Sequence, residues 1–166
     1  MPRQHRLAAG ATSFEKGLTM TATRETTASA QQVWDVLADG WKFSGWVVGA
    51  SRIRAVDADW PQPNSRISHS VGPWPALIND ETVVENVVPE RELVLRAKLW
   101  PVGEALVTMR LHSIPGGCRM EMSEVVATKP LDLIPDKVQL AAFWHRNHEC
   151  LLRLALIAEG KKPDDV

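Results

Sequence analysis

The chain has no tyrosine, only three phenylalanines and only two cysteines among 166 residues. Cys118 and Cys150 form no CxxC pair and suggest no disulfide framework, so a reducing, cytoplasmic setting is expected. No apolar run approaches the ~20 residues of a membrane-spanning helix, so membrane insertion is not expected. Neither sign of charge dominates: 19 basic residues face 20 acidic ones, a net of −1. A nucleic-acid or anionic-membrane surface needs a basic excess, so neither partner is expected. Gly116-Gly117 follows no phosphate-loop pattern, and no Ser, Thr or Cys stands in a recognisable nucleophile motif. His145 and His148 are three apart on a helical stretch, but no His-Glu-x-x-His pattern and no further ligand accompany them. No metal or cofactor is therefore expected.

Tryptophan, by contrast, is plentiful, with seven residues: Trp34, Trp41, Trp46, Trp60, Trp74, Trp100 and Trp144. Each alone is first a core or rim residue. Together they could line a pocket, since ligand cavities are mostly apolar and aromatic.

The stretch from Pro135 to Ala158 has helical period. Leu140, Phe143, Trp144, Cys150, Leu151, Leu154, Ala155 and Ala158 are expected on one side, and Arg146, Glu149 and Arg153 on the other. Pro135 fits only a first turn, and Gly160 followed by Pro163 marks a stop. Asn147 falls in the middle of the apolar stripe, where an amide is out of place.

Residues 1–17 lack periodicity and read as a disordered tail without a secretory h-region, with Met20 an alternative start. Residues 18–160 read as one domain and 161–166 as a C-terminal tail. Leu18 to Thr26 is Thr-rich and β-favouring. Ser29 with Gln32 makes a capping box for a helix through Val33, Trp34, Val36 and Leu37. The stretch WKFSGW follows as a short helical turn, with Trp41, Phe43 and Trp46 as a hydrophobic cap.

From Ser51 to Thr128 the period becomes two. Ile53 and Ala55, then Ile67, His69 and Val71, form inward phases. A strand over Thr82 to Val88 follows, and Leu93, Leu95, Ala97 and Leu99 form the next. Ala105, Val107, Met109 and Leu111 precede the hairpin Pro115-Gly116-Gly117. Cys118, Met120 and Met122 follow it, and the same alternation turns Glu124 inward. Trp60, Trp74 and Trp100 lie in Pro-bearing connections. One strand, two short helices, about six antiparallel strands and one long helix result. One helix cannot fill a curved sheet of that size, so a cavity is expected between them.

These elements, with TASAQQVWDVLADGWKFSGWVVGASRIRAVDADWP (27–61), VGPWPAL (71–77), LVLRA (93–97) and Arg146-Asn147, resemble the START/Bet v 1-like superfamily, the polyketide cyclase and lipid-transport group. The likeness runs from about Leu18 to Gly160. It implies an α+β helix-grip fold, a seven-stranded curved antiparallel sheet wrapped round the C-terminal helix. It also implies a hydrophobic ligand in the groove. It transfers no catalytic set, because function resides in the site and not in the fold.

His69, Glu124 and Asn147 are polar residues on apolar phases. Such groups are tied to backbone, neighbour or water, or else they orient a ligand. The expected lining comprises Trp41, Phe43, Trp46, Ile67, His69, Leu95, Met109, Met122, Glu124, Trp144, Asn147 and Leu151. A lipid or polyketide-like molecule is the expected occupant. An alternative is a cyclase or dehydratase in which His69 and Glu124, on opposite arms of the sheet, act as acid and base. A second alternative is an interaction module using the Trp60, Trp74 and Trp100 loops. Either a monomer or a homodimer fits.

Overall fold

A computed structural model describes residues 18–72, 75–99, 103–127 and 136–160. The tails 1–17 and 161–166, Trp74, Trp100 and Pro135 lie outside the described residues. In chain order the elements are β1 (Leu18–Thr26), α1 (Ala30–Leu37), a 3-10 turn (Gly40–Lys42), α2 (Phe43–Trp46), β2 (Ala50–Val56), β3 (Arg66–Val71), β4 (Ile78–Val88), β5 (Glu92–Leu99), β6 (Gly103–Ile114), β7 (Gly117–Ala127) and α3 (Asp136–Ala158). The seven strands form one antiparallel sheet in the order β1-β7-β6-β5-β4-β3-β2.

Local chemistry explains the boundaries. Ser29 caps α1: its hydroxyl accepts from the Gln32 amide, and the Gln32 side chain accepts from the Ser29 amide. In the 3-10 turn Gly40 is the buried residue, and a Cβ there would meet Val56 Cγ1 at 2.6 Å. The backbone therefore lies against β2, and the next side chain, Trp41, turns outward. Gly117 opens β7 hard against the end of β1, where a Cβ would overlap the Thr26 carbonyl. Two bulges interrupt the pairing of β2 with β3, between Ala50 and Arg52 and between Ile53 and Ala55. Bulges shift the phase of an edge strand. Burial in β2 thus recurs every third residue, at Ala50, Ile53 and Val56, and Ala55 is exposed instead of inward. β4 begins at Ile78, four residues before the expected start, which adds Asp80 to the buried phase of Thr82 and Val84.

The inner face of the sheet carries Ala22, Ile67, Val84, Leu93, Leu95, Val107, Met109, Leu111, Cys118, Met120 and Met122. Against them pack α1, α2 and the Cys150, Leu151, Leu154, Ala155 and Ala158 side of α3. The far end of α3 is fastened to the β1–α1 junction through Glu159, whose carboxylate accepts from Thr26 Oγ1 (2.6 Å) and from the Thr27 amide (3.0 Å).

The registers sort the strand ends. The pairs Leu18↔Val126, Ala50↔Val71, Val71↔Ile78, Leu99↔Gly103 and Glu104↔Ala127 bring the start of β1, the α2–β2 connection and the ends of β3, β5 and β7 to one rim. The Gly116 hairpin and the β4–β5 turn lie at the opposite rim.

Candidate functional site

Toward the first rim the buried face changes character. Near the hairpin end it is sulfur and hydrocarbon: Cys118, Met120, Leu111 and Leu93. Near the other end, His69 and Asp80 pair across β3 and β4, Thr82 stands next in phase, and Glu124 lies three residues from the end of β7. All four are buried. Asp80 and Thr82 are not among the site residues expected from the sequence, although the alternation Asp80, Thr82, Val84 carries the signal.

Glu124 and Asn147 are 0% exposed. Arg146 Nη1 donates to both Glu124 oxygens, at 3.0 and 3.1 Å, and its Nε donates to the Val48 carbonyl at 3.4 Å. Arg146 was expected on the outer side of α3. It lies three residues after Phe143 and four before Cys150, so helical spacing puts it on their flank, and its long side chain reaches inward. The Val48 amide donates to Cys150 Sγ at 3.3 Å. Two side chains one turn apart on α3 therefore hold both backbone polar groups of Val48.

His69 Nε2 shares a hydrogen bond with Thr82 Oγ1 at 2.9 Å, and its ring lies 5.4 Å from that of Phe43. Burial pushes the His69 imidazole below its ordinary pKa; the nearby Asp80 opposes this and Arg54 reinforces it. A backbone hydrogen bond with Ser70 also opposes the fall. The Arg54 guanidinium donates to the His69 and Asp80 carbonyls, bridging the outer strands of that arm.

Asn147 has two unpaired buried polar atoms, Oδ1 and Nδ2. Arg24 Nε, on β1 toward the hairpin rim, is also buried without a partner, so such groups are not confined to this end. Buried polar atoms are nearly always paired, which makes each notable.

Of the expected lining, Phe43, Trp46, Ile67, His69, Leu95, Met109, Met122, Glu124, Asn147 and Leu151 are all buried. Phe43 and Trp46 meet edge to face at 5.4 Å. Trp41 and Trp144 do not line the interior; they are 61% and 56% exposed. Trp41 is turned out by the inward Gly40. Trp144 lies between the half-buried Phe143 and the exposed His145, and its ring is tilted against that of His148 with ring centres 4.0 Å apart. His148 Nδ1 is hydrogen-bonded to the Trp144 carbonyl. Trp60, expected in an exposed loop, is half-buried and donates from Nε1 to the Leu37 carbonyl at 3.2 Å. Among the described residues, no group of three or more His, Cys, Asp or Glu could hold a metal ion. No helix among them is long and apolar enough to cross a membrane.

A curved seven-stranded antiparallel sheet closed by a C-terminal helix, with two short helices after β1, defines a helix-grip, Bet v 1-like protein. Residues 18–155 match the family described as polyketide cyclase / dehydrase and lipid transport, and the chain belongs to that family. No curated protein matches in sequence. Solved structures share the fold. An uncharacterised protein of Rhizobium leguminosarum is 18% identical, with 88% of this chain and 97% of that one covered and a TM-score of 0.69. Ara h 8.0201 is 10% identical over 87% and 99%, with a TM-score of 0.66. The di-domain ARO/CYC StfQ of the steffimycin biosynthetic pathway is 10% identical over 86% of this chain and 50% of its own, with a TM-score of 0.67.

Proposed function

We propose that the protein binds an apolar or amphipathic small molecule, a lipid or a polyketide-like compound, between α3 and the inner face of the sheet. The observation that carries this reading is the two unpaired amide atoms of the fully buried Asn147, within the apolar stripe of α3. A purely structural core has no use for them, whereas a bound molecule could pair with them. The family and the solved relatives support the reading without naming the molecule. In the packing described, the lining residues Ile67, Met109, Glu124, Asn147 and Leu151 have no accessible surface, so binding requires side chains or α3 to move apart. The three inner methionines, Met109, Met120 and Met122, suit that role, because an unbranched thioether repacks easily.

Native mass spectrometry of the purified protein, with titration of fluorescent lipids and aromatic polyketide-like compounds, tests the reading. A carried or saturable ligand supports it; a protein that takes up none of the panel refutes it.

A proton-transfer enzyme is the second reading, and one observation favours it: His69 is buried, and burial lowers its pKa, as suits a base. Glu124 is a poor partner for such chemistry, since Arg146 engages both its oxygens.

A further inference from the structure

The class of molecule can be narrowed further, on the basis of the ligand-binding reading above. Asn147 lies within the buried stripe of α3, flanked along the helix by Cys150, Leu151 and Leu154, and neither end of its amide has a partner. Leucine has almost the same size and would fill this position without desolvating an amide. An asparagine amide offers a donor and an acceptor side by side. Its complement is an acceptor and a donor equally close together, as in a lactam or a hydroxyl beside a carbonyl.

Charge sorts the candidates. The preceding residue, Arg146, has its Nη1 on both oxygens of the fully buried Glu124. The other buried carboxylate, Asp80, receives the Glu81 amide at 2.7 Å. Burial disfavours the charged form of His69. The polar end therefore holds no buried cation in need of a counter-ion. A ligand carboxylate could pair there only by drawing Arg146 away, leaving Glu124 buried and bare.

We infer that the groove takes an uncharged apolar molecule bearing a hydrogen-bond donor and acceptor side by side, that Asn147 reads this pair, and that carboxylates are rejected. A hydrocarbon tail alone satisfies the sheet but not the amide. A site built to hydrogen-bond a ligand discriminates sharply against analogues lacking the matching groups.

Three bicyclic probes of similar size test this by calorimetry or by quenching of tryptophan fluorescence: 2-quinolinone (an uncharged lactam), naphthalene (apolar only) and 2-naphthoate (charged). Asn147→Leu should weaken 2-quinolinone by about tenfold or more, the loss of at least one good hydrogen bond. Naphthalene binding should change less than about twofold, within the scatter of substitutions that leave an interaction untouched. Wild-type protein should bind 2-naphthoate at least about tenfold more weakly than naphthalene. The urea midpoint of Asn147→Leu should equal or exceed that of wild type, which a structural asparagine would not allow. Asn147→Ala serves as the second variant, and its ratio of lactam to naphthalene affinity should fall in the same way. If naphthalene binds but either variant keeps the wild-type ratio, or if both variants unfold, this inference is overturned and the ligand-binding reading stands. If no probe binds wild-type protein, this inference is overturned, while the ligand-binding reading falls only if the lipid and polyketide-like panel also fails to bind.

Discussion

Arg146 and Glu124 meet across the interface of α3 and β7, one guanidinium nitrogen within 3.1 Å of each carboxylate oxygen. Glu124 is wholly buried while the Arg146 side chain keeps 23% of its surface. The two partners are therefore unequal, since only one can turn to water when the other is lost. Arg146→Met should destabilise the protein by about 3–5 kcal/mol, because it strands a buried carboxylate. Adding Glu124→Gln should restore much of that loss. Urea denaturation of the single and double variants measures both, and a double variant no more stable than Arg146→Met would refute the account.

The imidazole of His69 supplies a pH signature. Its pKa is lowered in the folded protein from an ordinary value of 6.5, chiefly by burial. The unfolded chain therefore binds the proton more readily, and stability declines as pH falls below about 6.5 until the folded-state value is passed. His69→Gln keeps a polar group near Thr82 but does not titrate. Between pH 7.5 and 5.5 the urea midpoint of the wild type should fall further than that of the variant. Equal falls would show that other groups carry the dependence.

Both thiols should be silent. Cys118 and Cys150 are fully buried, and burial pushes both thiols above their ordinary pKa. A disulfide reagent such as DTNB at pH 8 should label neither in the native protein and both after denaturation. Cys150→Ala should cost about 1–2 kcal/mol, from a small void and an unpaired Val48 amide, with Cys150→Ser milder.

Gly117→Ala tests the packing at the far rim. The added methyl would overlap the Thr26 carbonyl, so β1 and β7 would have to part where α1 and Glu159 are also anchored. Thermal melting should show a loss of about 1–3 kcal/mol. The neighbouring Gly116 has open space but a φ of +83°, so alanine there would be strained for a different reason.

The order of elements was legible because each announces itself locally: the Ser29–Gln32 box, the Gly116-Gly117 hairpin, the alternation of β5 to β7. The inward turn of Glu124 followed from parity alone. Legibility stopped where geometry depends on neighbours. The bulges of β2 shifted Ala55 outward, and no residue type in that strand flags them. Asp80 went unread because the Pro-rich stretch before it hid the true start of β4. Arg146 was misplaced by its charge, although its spacing from Phe143 and Cys150 pointed inward. Helical spacing puts Trp144 on the apolar side and the WKFSGW turn puts Trp41 in a cap, yet both side chains are exposed, Trp41 because the buried Gly40 before it lies against β2.

Val48 links these observations. Its amide and carbonyl are both held by α3, through Cys150 and Arg146, two residues before the sheet's outermost strand begins. Outward travel of the helix must pull on that tether. Hydrogen exchange along β2 should thus quicken or slow as the interior fills, giving a readout of occupancy at the margin of the molecule, with no label inside it.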